Sequence, residues 1–405
     1  MNIEEILTFC VNLSREMITC GANLERVHLA IEFICRAYGL KDLSIFLLST
    51  HISLSAYDKN GNYASRQASI PPAGINLEKL KNLNQLSYKV AEITPTSKVL
   101  ETMLERALKT QNYSDSIILF ARISAMLCLC FMFGGTFATL IPVAVSTALL
   151  HFLMIFFEHT GMDRIVINAL MMFILTSAAI FLTYTGVGDN LPVVIITVSM
   201  IVIPGIPLVN AMRNLLCGRE SNGILQMLKI FIETMALGMG IYVALTTFKD
   251  YAIINEAKNT LLNPFLFVGL SFFASVSFGV VFGIPPKDLW LAGLGGALSR
   301  ISLLSFSSLS SNRLLFMTVS ALIAALYAEF LAVKRRQPST YFVYPSIIPL
   351  IPGDLFFYSL MGLFINDYAS VYENGMNCIF SLLGLSIGFV FSSTVSHYIR
   401  KFRYR

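Results

Sequence analysis

The sequence predicts an all-α polytopic membrane protein, with about ten transmembrane helices arranged as a 5+5 inverted repeat, behind a small soluble α+β domain. Hydrophobic residues make up 55% of the 405 residues and charged residues only 13%, with a mean hydropathy of +0.69. Long charge-poor stretches follow one another after residue 116, and short motifs recur at nearly constant spacing. An ordinary soluble fold cannot bury this much apolar surface, so much of the chain must face lipid.

Residues 1–116 are predicted to form the cytoplasmic α+β domain. The start is acidic and has neither the basic region nor the apolar core of a signal peptide. Helical periodicity runs from Ile6 to Tyr38, closing at Gly39. The next predicted elements are a β-rich stretch Leu43–Tyr57, a turn at Asp58–Gly61, an extended piece to Ile70, and helices over Leu77–Ala91 and Ser97–Lys109.

Ten charge-poor windows beyond this domain have the length that crosses a membrane, about 20 residues for a ~30 Å hydrocarbon core. We place the spans at Ile117–Gly134, Thr136–Phe157, Ile165–Tyr184, Leu191–Leu216, Gly223–Phe248, Asn263–Phe282, Leu289–Phe306, Leu314–Val333, Tyr341–Phe364 and Met376–His397.

The basic residues between these spans predict the orientation. Eleven fall on the side of the N-terminal domain and three on the other side, which is a positive-inside bias. We therefore expect a multi-pass plasma (inner) membrane protein with both termini cytoplasmic, and we read the net charge of +5 as topology, with no nucleic-acid partner. The eleven are Arg164, Arg213, Arg219, Lys287, Lys334, Arg335, Arg336, Arg400, Lys401, Arg403 and Arg405; the three are Lys249, Lys258 and Arg313.

Internal repeats divide the membrane part into residues 117–261 and 262–405. Phe133-Gly134 recurs 149 residues later as Phe282-Gly283, and Ile203-Pro204-Gly205 recurs 148 residues later as Ile351-Pro352-Gly353. Leu237-Gly238 matches Leu383-Gly384 at a spacing of 146. Five spans is an odd number, so the second half must enter the membrane in the opposite sense. Inverted repeats of this kind are frequent in secondary transporters that work by alternating access.

The repeated Ile-Pro-Gly segments lie deep within the fourth and ninth spans. Pro204 and Pro352 lack N–H groups and are expected to leave the carbonyls of Met200 and Ile348 without helical partners, while Gly205 and Gly353 let the backbone unwind. Interrupted helices in matching positions of two halves point to a substrate site. The alternative is a pair of structural proline kinks.

Ionisable and polar residues inside the spans are further candidates, because each needs a partner or a wet cavity. Glu233, near a helix midpoint, is our first choice for proton coupling; a simple pair with Lys229 is the alternative. Asp354 follows the second break and is a candidate for binding a substrate ammonium or for carrying a proton. The remaining candidates are Arg122 and Arg300, which would receive a substrate carboxylate or neutralise a buried acid, Asn210 as a hydrogen-bonding group, and Glu329, expected to snorkel toward the basic end of its span.

Other chemistries find little support. The seven cysteines have no metal-ligand spacing and are expected to be reduced structural thiols, and His151, His159 and His397 are expected near the membrane interface. The sequence has no phosphate-binding loop or nucleophile elbow, so we expect no cofactor, no ATP-driven step and no enzyme activity.

Short motifs spread along the chain carry a resemblance to a known family. They are Gly21-Ala22-Asn23-Leu24-Glu25-Arg26-Val27, Asn76-Leu77-Glu78-Lys79-Leu80, Asn84-Gln85-Leu86-Ser87, Ile203-Pro204-Gly205, Asn210-Ala211-Met212-Arg213-Asn214 and Ser221-Asn222-Gly223. With these motifs the sequence resembles the threonine/serine exporter family over essentially the whole chain. In the family pattern an acid commonly stands where this chain has His28, and an aspartate at the position of Asn214. The resemblance implies proton-driven export of threonine and serine; split two-subunit relatives are associated with succinate export.

We therefore expect a secondary exporter whose partners are a small polar substrate, protons and the bilayer, with a homo-oligomer left open. A dicarboxylate (succinate) exporter is the sibling alternative, and it would need both Arg122 and Arg300. A membrane-anchored hydrolase with its chemistry in the N-terminal domain is the rival from another class, and a passive channel is a third alternative.

Overall fold

The computed structural model describes residues 2–71, 74–110, 113–251, 263–335 and 337–403, with side chains as far as residue 395. Of the residues used to predict orientation, Lys258, Arg336 and Arg405 lie outside the described residues. The chain divides into two compact units. The first contains Met1–Tyr113, Phe282–Asp288 and Phe330–Phe342; the second contains Ser114–Val281, Leu289–Glu329 and Val343–Arg405.

The N-terminal part of the first unit is the predicted α+β fold. Its helical stretch is two helices and not one, because Gly21 adopts φ +89°, a left-handed conformation that ends the first helix. The side chain of Asn23 then caps the second helix by accepting from the N–H of Glu25. The elements are α1 (Ile3–Thr19), α2 (Leu24–Ala37), β1 (Lys41–Leu47), β2 (His51–Tyr57), β3 (Tyr63–Ser69), α3 (Leu77–Ile93) and α4 (Ser97–Leu108).

The three strands form an antiparallel sheet in the order β1-β2-β3. Along β2, Ile52, Leu54 and Ala56 are fully buried while the residues between them are not, which is the period-two pattern of a sheet with one face on a core. Helix α1 packs against β2 and β3 and buries Leu7 and Met17 completely. The core of this domain therefore lies between α1 and the sheet, with α2 and α3 packed beside it.

The rest of the described chain is a set of apolar helices. Eight of them are long and apolar enough to cross a membrane alone, and two bent pairs meet the same test when each is taken together, so the structure gives eight to ten spans. The helices are α5 (Asp115–Met132), α6 (Leu140–Glu158), α7 (Arg164–Tyr184), α8 (Leu191–Val202), α9 (Gly205–Leu216), α10 (Glu220–Thr247), α11 (Pro264–Val281), α12 (Pro286–Leu309), α13 (Arg313–Arg335), α14 (Thr340–Ile347), α15 (Gly353–Phe364) and α16 (Tyr368–Arg403).

The predicted fourth and ninth spans are each broken. Helices α8 and α9 meet at 60°, and α14, extended by a 3₁₀ turn to Leu350, meets α15 at 55°. Both breaks fall at the repeated Pro-Gly, as the sequence predicts. In both halves the element order is three long helices, a broken pair, and one more long helix.

Corresponding helices also pack in corresponding ways. Helices α5 and α11, the first of each half, pack against each other, and the hydroxyl of Ser277 donates to Ser124 at 3.0 Å. Helix α9 packs on both α10 and α16, and α15 also packs on both. Gly240 of α10 lies directly against the backbone of α7, and Gly384 of α16 against that of α13.

The helices leave much apolar surface uncovered. No candidate span has more than half of its apolar window buried inside the protein, and the shares run from 28% to 50%. Large side chains such as Phe120, Phe137 and Phe265 are 71%, 82% and 85% exposed. Exposed apolar surface on this scale is what helices surrounded by lipid require.

Two segments from the second half belong to the first unit. The N–H of Leu77, at the start of α3, donates to the carbonyl of Phe282 at 2.8 Å, and the hydroxyl of Tyr113 donates to the carbonyl of Ile284 at 2.6 Å. Within this unit the buried hydroxyl of Tyr341 donates to the buried Asp288 carboxylate at 3.0 Å. The turn between α11 and α12 and the start of α14 are thus joined to the N-terminal domain.

Candidate functional site

The two helix breaks have the same backbone conformation. Pro204 lies at φ −78°, ψ 67° and Pro352 at φ −81°, ψ 55°. Each is the centre of an inverse γ-turn, in which the N–H of the following glycine donates to the carbonyl of the preceding isoleucine, at 2.8 Å for Gly205 and 2.9 Å for Gly353. The Ile-Pro-Gly repeat therefore encodes one local structure, used once in each half.

Proline explains why the helices stop at these points. It cannot donate to the carbonyl four residues back, and its ring clashes with that turn. The expectation that the carbonyl of Ile348 is left without a partner is wrong, because it accepts from the N–H of Ile351 at 3.3 Å. The upstream half-helix tightens into a 3₁₀ turn there and so satisfies a carbonyl that an α-helix would have left open.

The two breaks lie directly against each other. A Cβ built on Gly205 would stand 2.8 Å from Cγ2 of Ile351, and a Cβ built on Gly353 would stand 2.6 Å from Sδ of Met200. Each glycine thus lets its own backbone approach the other broken pair, closer than any side chain would permit. The paired breaks form one structural centre.

Beyond the contact, each downstream half-helix runs beside the upstream half-helix of the other pair. In α9, the side-chain amide of Asn210 donates to the hydroxyl of Tyr344 in α14 at 3.1 Å. In α15, Phe357 is buried in the same apolar cluster as Val194 and Val198 of α8. The broken pairs therefore cross, and a polar bond joins them on one side of the crossing.

Asp354 lies in the first turn of α15, immediately after the second break. Its carboxylate accepts from the N–H of Leu355, and the guanidinium groups of Arg300 and Arg313 are its charged neighbours. This placement suits a carboxylate, because the N-terminus of a helix carries a partial positive charge. Cys378 of α16 completes the surroundings, with its thiol 3.9 Å from the carbonyl of Pro352.

Arg313, predicted to lie in an external loop directly before the eighth span, is also a neighbour of Asp354. It begins α13, is half-buried, and donates to the hydroxyl of Ser381 at 3.4 Å. The positive-inside argument uses only the position of a basic residue along the chain, and it does not predict where a long side chain extends. Arg313 is thus a site residue that the sequence argument missed.

Arg300 reaches the site from α12. Its guanidinium lies over the ring of Phe267, 4.8 Å from the centroid, in cation–π geometry. Its Nε is buried without a hydrogen-bond partner among the described residues. Arg300 therefore keeps donor capacity beside Asp354 that the protein itself does not use.

The two half-helix N-termini differ in charge. Helix α15 carries Asp354 in its first turn, whereas α9 begins Gly205-Ile206 and has no acid there. The partial positive charge of α9 is not offset by a side chain of its own first turn. The site thus offers one carboxylate and one helix end suited to an anion.

Two predicted candidates are not brought to the breaks by any contact of the described residues. Arg122 of α5 instead bonds to His151 of α6, with Nη1 and Nδ1 2.8 Å apart. Glu233 is half-buried in the middle of α10, and within the described chain it has no hydrogen bond or ion pair. Lys229 is exposed and makes no ion pair with Glu233, so the alternative of a simple pair between them is not observed.

His151 is only 4% exposed and lies inside α6, which continues seven residues beyond it to Glu158. Its place near the membrane interface stays a prediction. Ser146 and Thr176, which sequence reasoning also passed over, line a packing gap between α6, α7 and α8 that is too small to hold water. Their buried hydroxyls have no hydrogen-bond partner among the described residues. Isolated hydroxyls in apolar helices give no sequence signal that separates such a space from ordinary packing.

The described residues contain no group of three or more His, Cys, Asp or Glu placed to hold a metal ion. All seven cysteines are free thiols, six buried and Cys217 exposed. The candidate site is thus a carboxylate with two guanidinium groups in its electrostatic surroundings, at interrupted helices inside a bundle of apolar helices.

Two family models match the chain. A threonine/serine exporter domain model, ThrE, covers residues 8–248, and a second model, described as Threonine/Serine exporter, ThrE, covers residues 268–395. Searches of curated proteins and of solved structures returned no match. Together the two models span the soluble domain, both broken pairs and nearly all of the membrane helices. The chain belongs to the threonine/serine exporter family.

Proposed function

We propose that this protein exports threonine or serine from the cytoplasm across the plasma (inner) membrane, coupled to protons, by alternating access at the crossing of the two broken helix pairs. Family membership supports an exporter. The observation that carries the location of the site is the direct contact between the two γ-turn breaks, Gly205 against Ile351 and Gly353 against Met200.

The crossing offers a complementary group for each part of a hydroxy amino acid. Asp354 supplies a carboxylate for the substrate ammonium, with Arg300 and Arg313 limiting how much negative charge the empty site carries. The N-terminus of α9 supplies N–H groups and a partial positive charge for the substrate carboxylate. Asn210 and Tyr344, already joined at 3.1 Å, supply polar groups for the side-chain hydroxyl.

The mechanism follows from an inverted repeat. With five spans in each half, the halves would insert in opposite senses, and the two matching breaks would act as equivalent hinges near the membrane midplane. Rocking one half against the other opens the crossing first to one side and then to the other. The N-terminal domain joins the turns before α12 and α14, both predicted to lie on the cytoplasmic side with it, which supports this orientation.

The dicarboxylate alternative is less well supported by the geometry. It needs Arg122 and Arg300 to act on one substrate, and Arg122 is bonded to His151 whereas Arg300 neighbours Asp354. Asp354 would also repel a second substrate carboxylate. The hydrolase alternative is a proposal about the N-terminal domain, and it leaves the paired breaks without a role.

Efflux from preloaded proteoliposomes tests the proposal. Threonine, serine and succinate would each be loaded, and efflux measured with and without an imposed pH gradient. We expect saturable efflux of threonine and serine, faster when protons enter in exchange, and little efflux of succinate. Succinate efflux alone, or unsaturable conductance, would contradict the proposal.

A further inference from the structure

We propose that His151, and not Glu233, takes up and releases the coupled proton, with Arg122 as the partner that makes proton binding depend on conformation. This inference rests on the proton coupling of the proposed function. It starts from the one polar bond between α5 and α6 that involves a titratable side chain of each helix within the described chain, Arg122 Nη1 to His151 Nδ1 at 2.8 Å.

The bond identifies Nδ1 as the atom of His151 that would take up a proton. A guanidinium has only donors, so a hydrogen bond at this contact requires Nδ1 of His151 to accept, with the imidazole neutral and its proton on Nε2. An imidazolium would instead present a donor to a donor. His151 is 4% exposed and Arg122 is half-buried, so water screens the contact less than it would at the protein surface.

Few charged groups lie near the Arg122–His151 pair, so a proton added to His151 would change the local charge strongly. Among the described residues, Asp115, about two turns before Arg122 on α5, is the acid that interacts with both groups. Helix α8 has no charged residue, and α7 carries its ionisable residues at its ends. The other titratable groups on the elements packed against His151 are Cys128 and Cys130 of α5, Glu158 and His159 at the end of α6, and Arg164 and Tyr184 of α7.

Protonation would therefore break the bond. A proton added to Nδ1 removes the lone pair that accepts from Arg122 and places two cations at hydrogen-bond distance in a poorly screened site. The step forms one N–H bond, releases one hydrogen bond and needs no other reactant. The conformation seen here excludes the proton, and a conformation in which α5 and α6 separate would bind it. Two conformations with different proton affinity are what coupling requires.

The repeat gives a second reason to choose this position. The spacing of 149 residues pairs His151 of the first half with Arg300 of the second. Arg300 neighbours Asp354 at the second break. The two equivalent positions thus each have an ionisable neighbour, Arg122 for His151 and Asp354 for Arg300. Glu233, in contrast, has no hydrogen bond or ion pair within the described chain.

The test compares His151→Gln with His159→Gln in proteoliposomes. His159 is exposed and caps the same helix, so it controls for loss of an imidazole. We expect His159→Gln to retain the stimulation of threonine efflux by an imposed pH gradient. His151→Gln should lose that stimulation while threonine–threonine exchange, which needs no net proton movement, continues. Glu233→Gln should keep the stimulation.

The outcomes separate this inference from the proposed function. If the unchanged protein shows no stimulation by the gradient, proton coupling itself fails. If the unchanged protein is stimulated and His151→Gln is stimulated equally, only the role of His151 fails. Loss of stimulation in Glu233→Gln alone would transfer the role to Glu233 and overturn the inference.

A second variant covers the case in which His151→Gln does not fold. Arg122→Gln removes the cation and leaves the imidazole, so proton uptake should persist and its midpoint should move to higher pH. Proton uptake by the purified protein, followed with a pH-indicator dye on threonine addition, gives this midpoint directly. An unchanged midpoint in Arg122→Gln would contradict the pairing.

Discussion

Gly205 approaches Ile351 so closely that a Cβ on the glycine would lie 2.8 Å from the Cγ2 atom of the isoleucine. The two residues belong to equivalent breaks in the two halves of the chain, since Ile203-Pro204-Gly205 recurs 148 residues later as Ile351-Pro352-Gly353. Because of this contact, the break in each helix pair packs against the break in the other pair. A substitution in one break should therefore disturb both.

We expect Gly205→Ala to impair threonine efflux more than Gly353→Ala. The new methyl group at residue 205 meets a branched side chain at its β-carbon branch, which cannot move aside, whereas at residue 353 it meets the flexible thioether of Met200. Overpacking of this kind costs about 1–3 kcal/mol. Leucine at either position should abolish efflux.

The control is Gly269→Ala on α11, a glycine of an apolar helix around which a Cβ would meet nothing within 4 Å. It should transport normally. Membrane insertion of all variants would be checked by yield and size-exclusion profile. Equal efflux from Gly205→Leu and the unchanged protein would remove the breaks from the transport site.

Asp354→Asn should abolish threonine efflux while the protein still inserts. The amide keeps the size of the side chain but cannot balance the charges of Arg300 and Arg313 or hold a substrate ammonium. Asp163→Asn, an exposed residue before α7 whose side chain makes no cap, is the matched control and should be neutral. Threonine binding by calorimetry distinguishes a binding defect from a coupling defect. Unaltered binding and efflux in Asp354→Asn would contradict the assigned role.

Asn210→Ala and Tyr344→Phe should each reduce stability, and the double variant should lose little more than either one. The two substitutions remove opposite ends of the same 3.1 Å hydrogen bond. A bond of this kind contributes about 0.5–1.5 kcal/mol net, and paired residues show non-additive losses. Thermal unfolding in detergent gives the three values. If the stability losses of the two single variants add up fully in the double variant, the bond does not join the broken pairs.

Tyr341→Phe should loosen the N-terminal domain from the turns it holds. The change leaves the Asp288 carboxylate, 1% exposed, without the hydroxyl that donates to it at 3.0 Å, and an unsatisfied buried acceptor costs about 1–3 kcal/mol. Limited proteolysis should then cut faster near residues 282–288. Tyr372→Phe, at a residue 72% exposed, is the control and should change nothing. Equal protection in both variants would argue against this anchor.

The thiols of the N-terminal domain should resist alkylation at neutral pH, whereas Cys217 should react. Cys10 and Cys35 are fully buried, and burial raises the pKa of Cys20 from 9.0 to about 11, so little thiolate is present. Mass spectrometry after brief iodoacetamide treatment gives the order of reaction. Early labelling of Cys20 would contradict the burial.

The same pKa shift predicts how the domain responds to alkali. The Cys20 thiol ionises near pH 9 in the unfolded chain and only near pH 11 in the folded one. Its contribution to stability is therefore complete below about pH 9 and is lost as the pH rises toward 11. Hydrogen exchange of α1 amides should accelerate over this interval, and less so in Cys20→Ala. An identical pH response in Cys20→Ala would remove Cys20 from the explanation.

Much of the architecture could be predicted because it depends on local chemistry. Proline at residues 204 and 352 interrupts any helix, and glycine beside it permits a turn, so the breaks follow from the sequence. Their mutual contact does not follow, because it depends on how two distant segments cross. The burial of His151 and the surroundings of the Arg313 side chain do not follow for a similar reason: both are set by neighbouring helices that one segment's composition does not reveal.

The most direct test of the central claim is threonine efflux from proteoliposomes containing an Asn210→Cys, Tyr344→Cys protein in a Cys217→Ser background. A cleavable bis-methanethiosulfonate cross-linker would join α9 to α14 across the crossing, where the Asn210 amide and the Tyr344 hydroxyl meet at 3.1 Å. The cross-linker spans the space that the tyrosine ring fills in the native protein. If the crossing must open and close, efflux stops on cross-linking and returns when the linker is cleaved by reduction. Efflux at an unchanged rate from fully cross-linked protein would show that the substrate passes elsewhere.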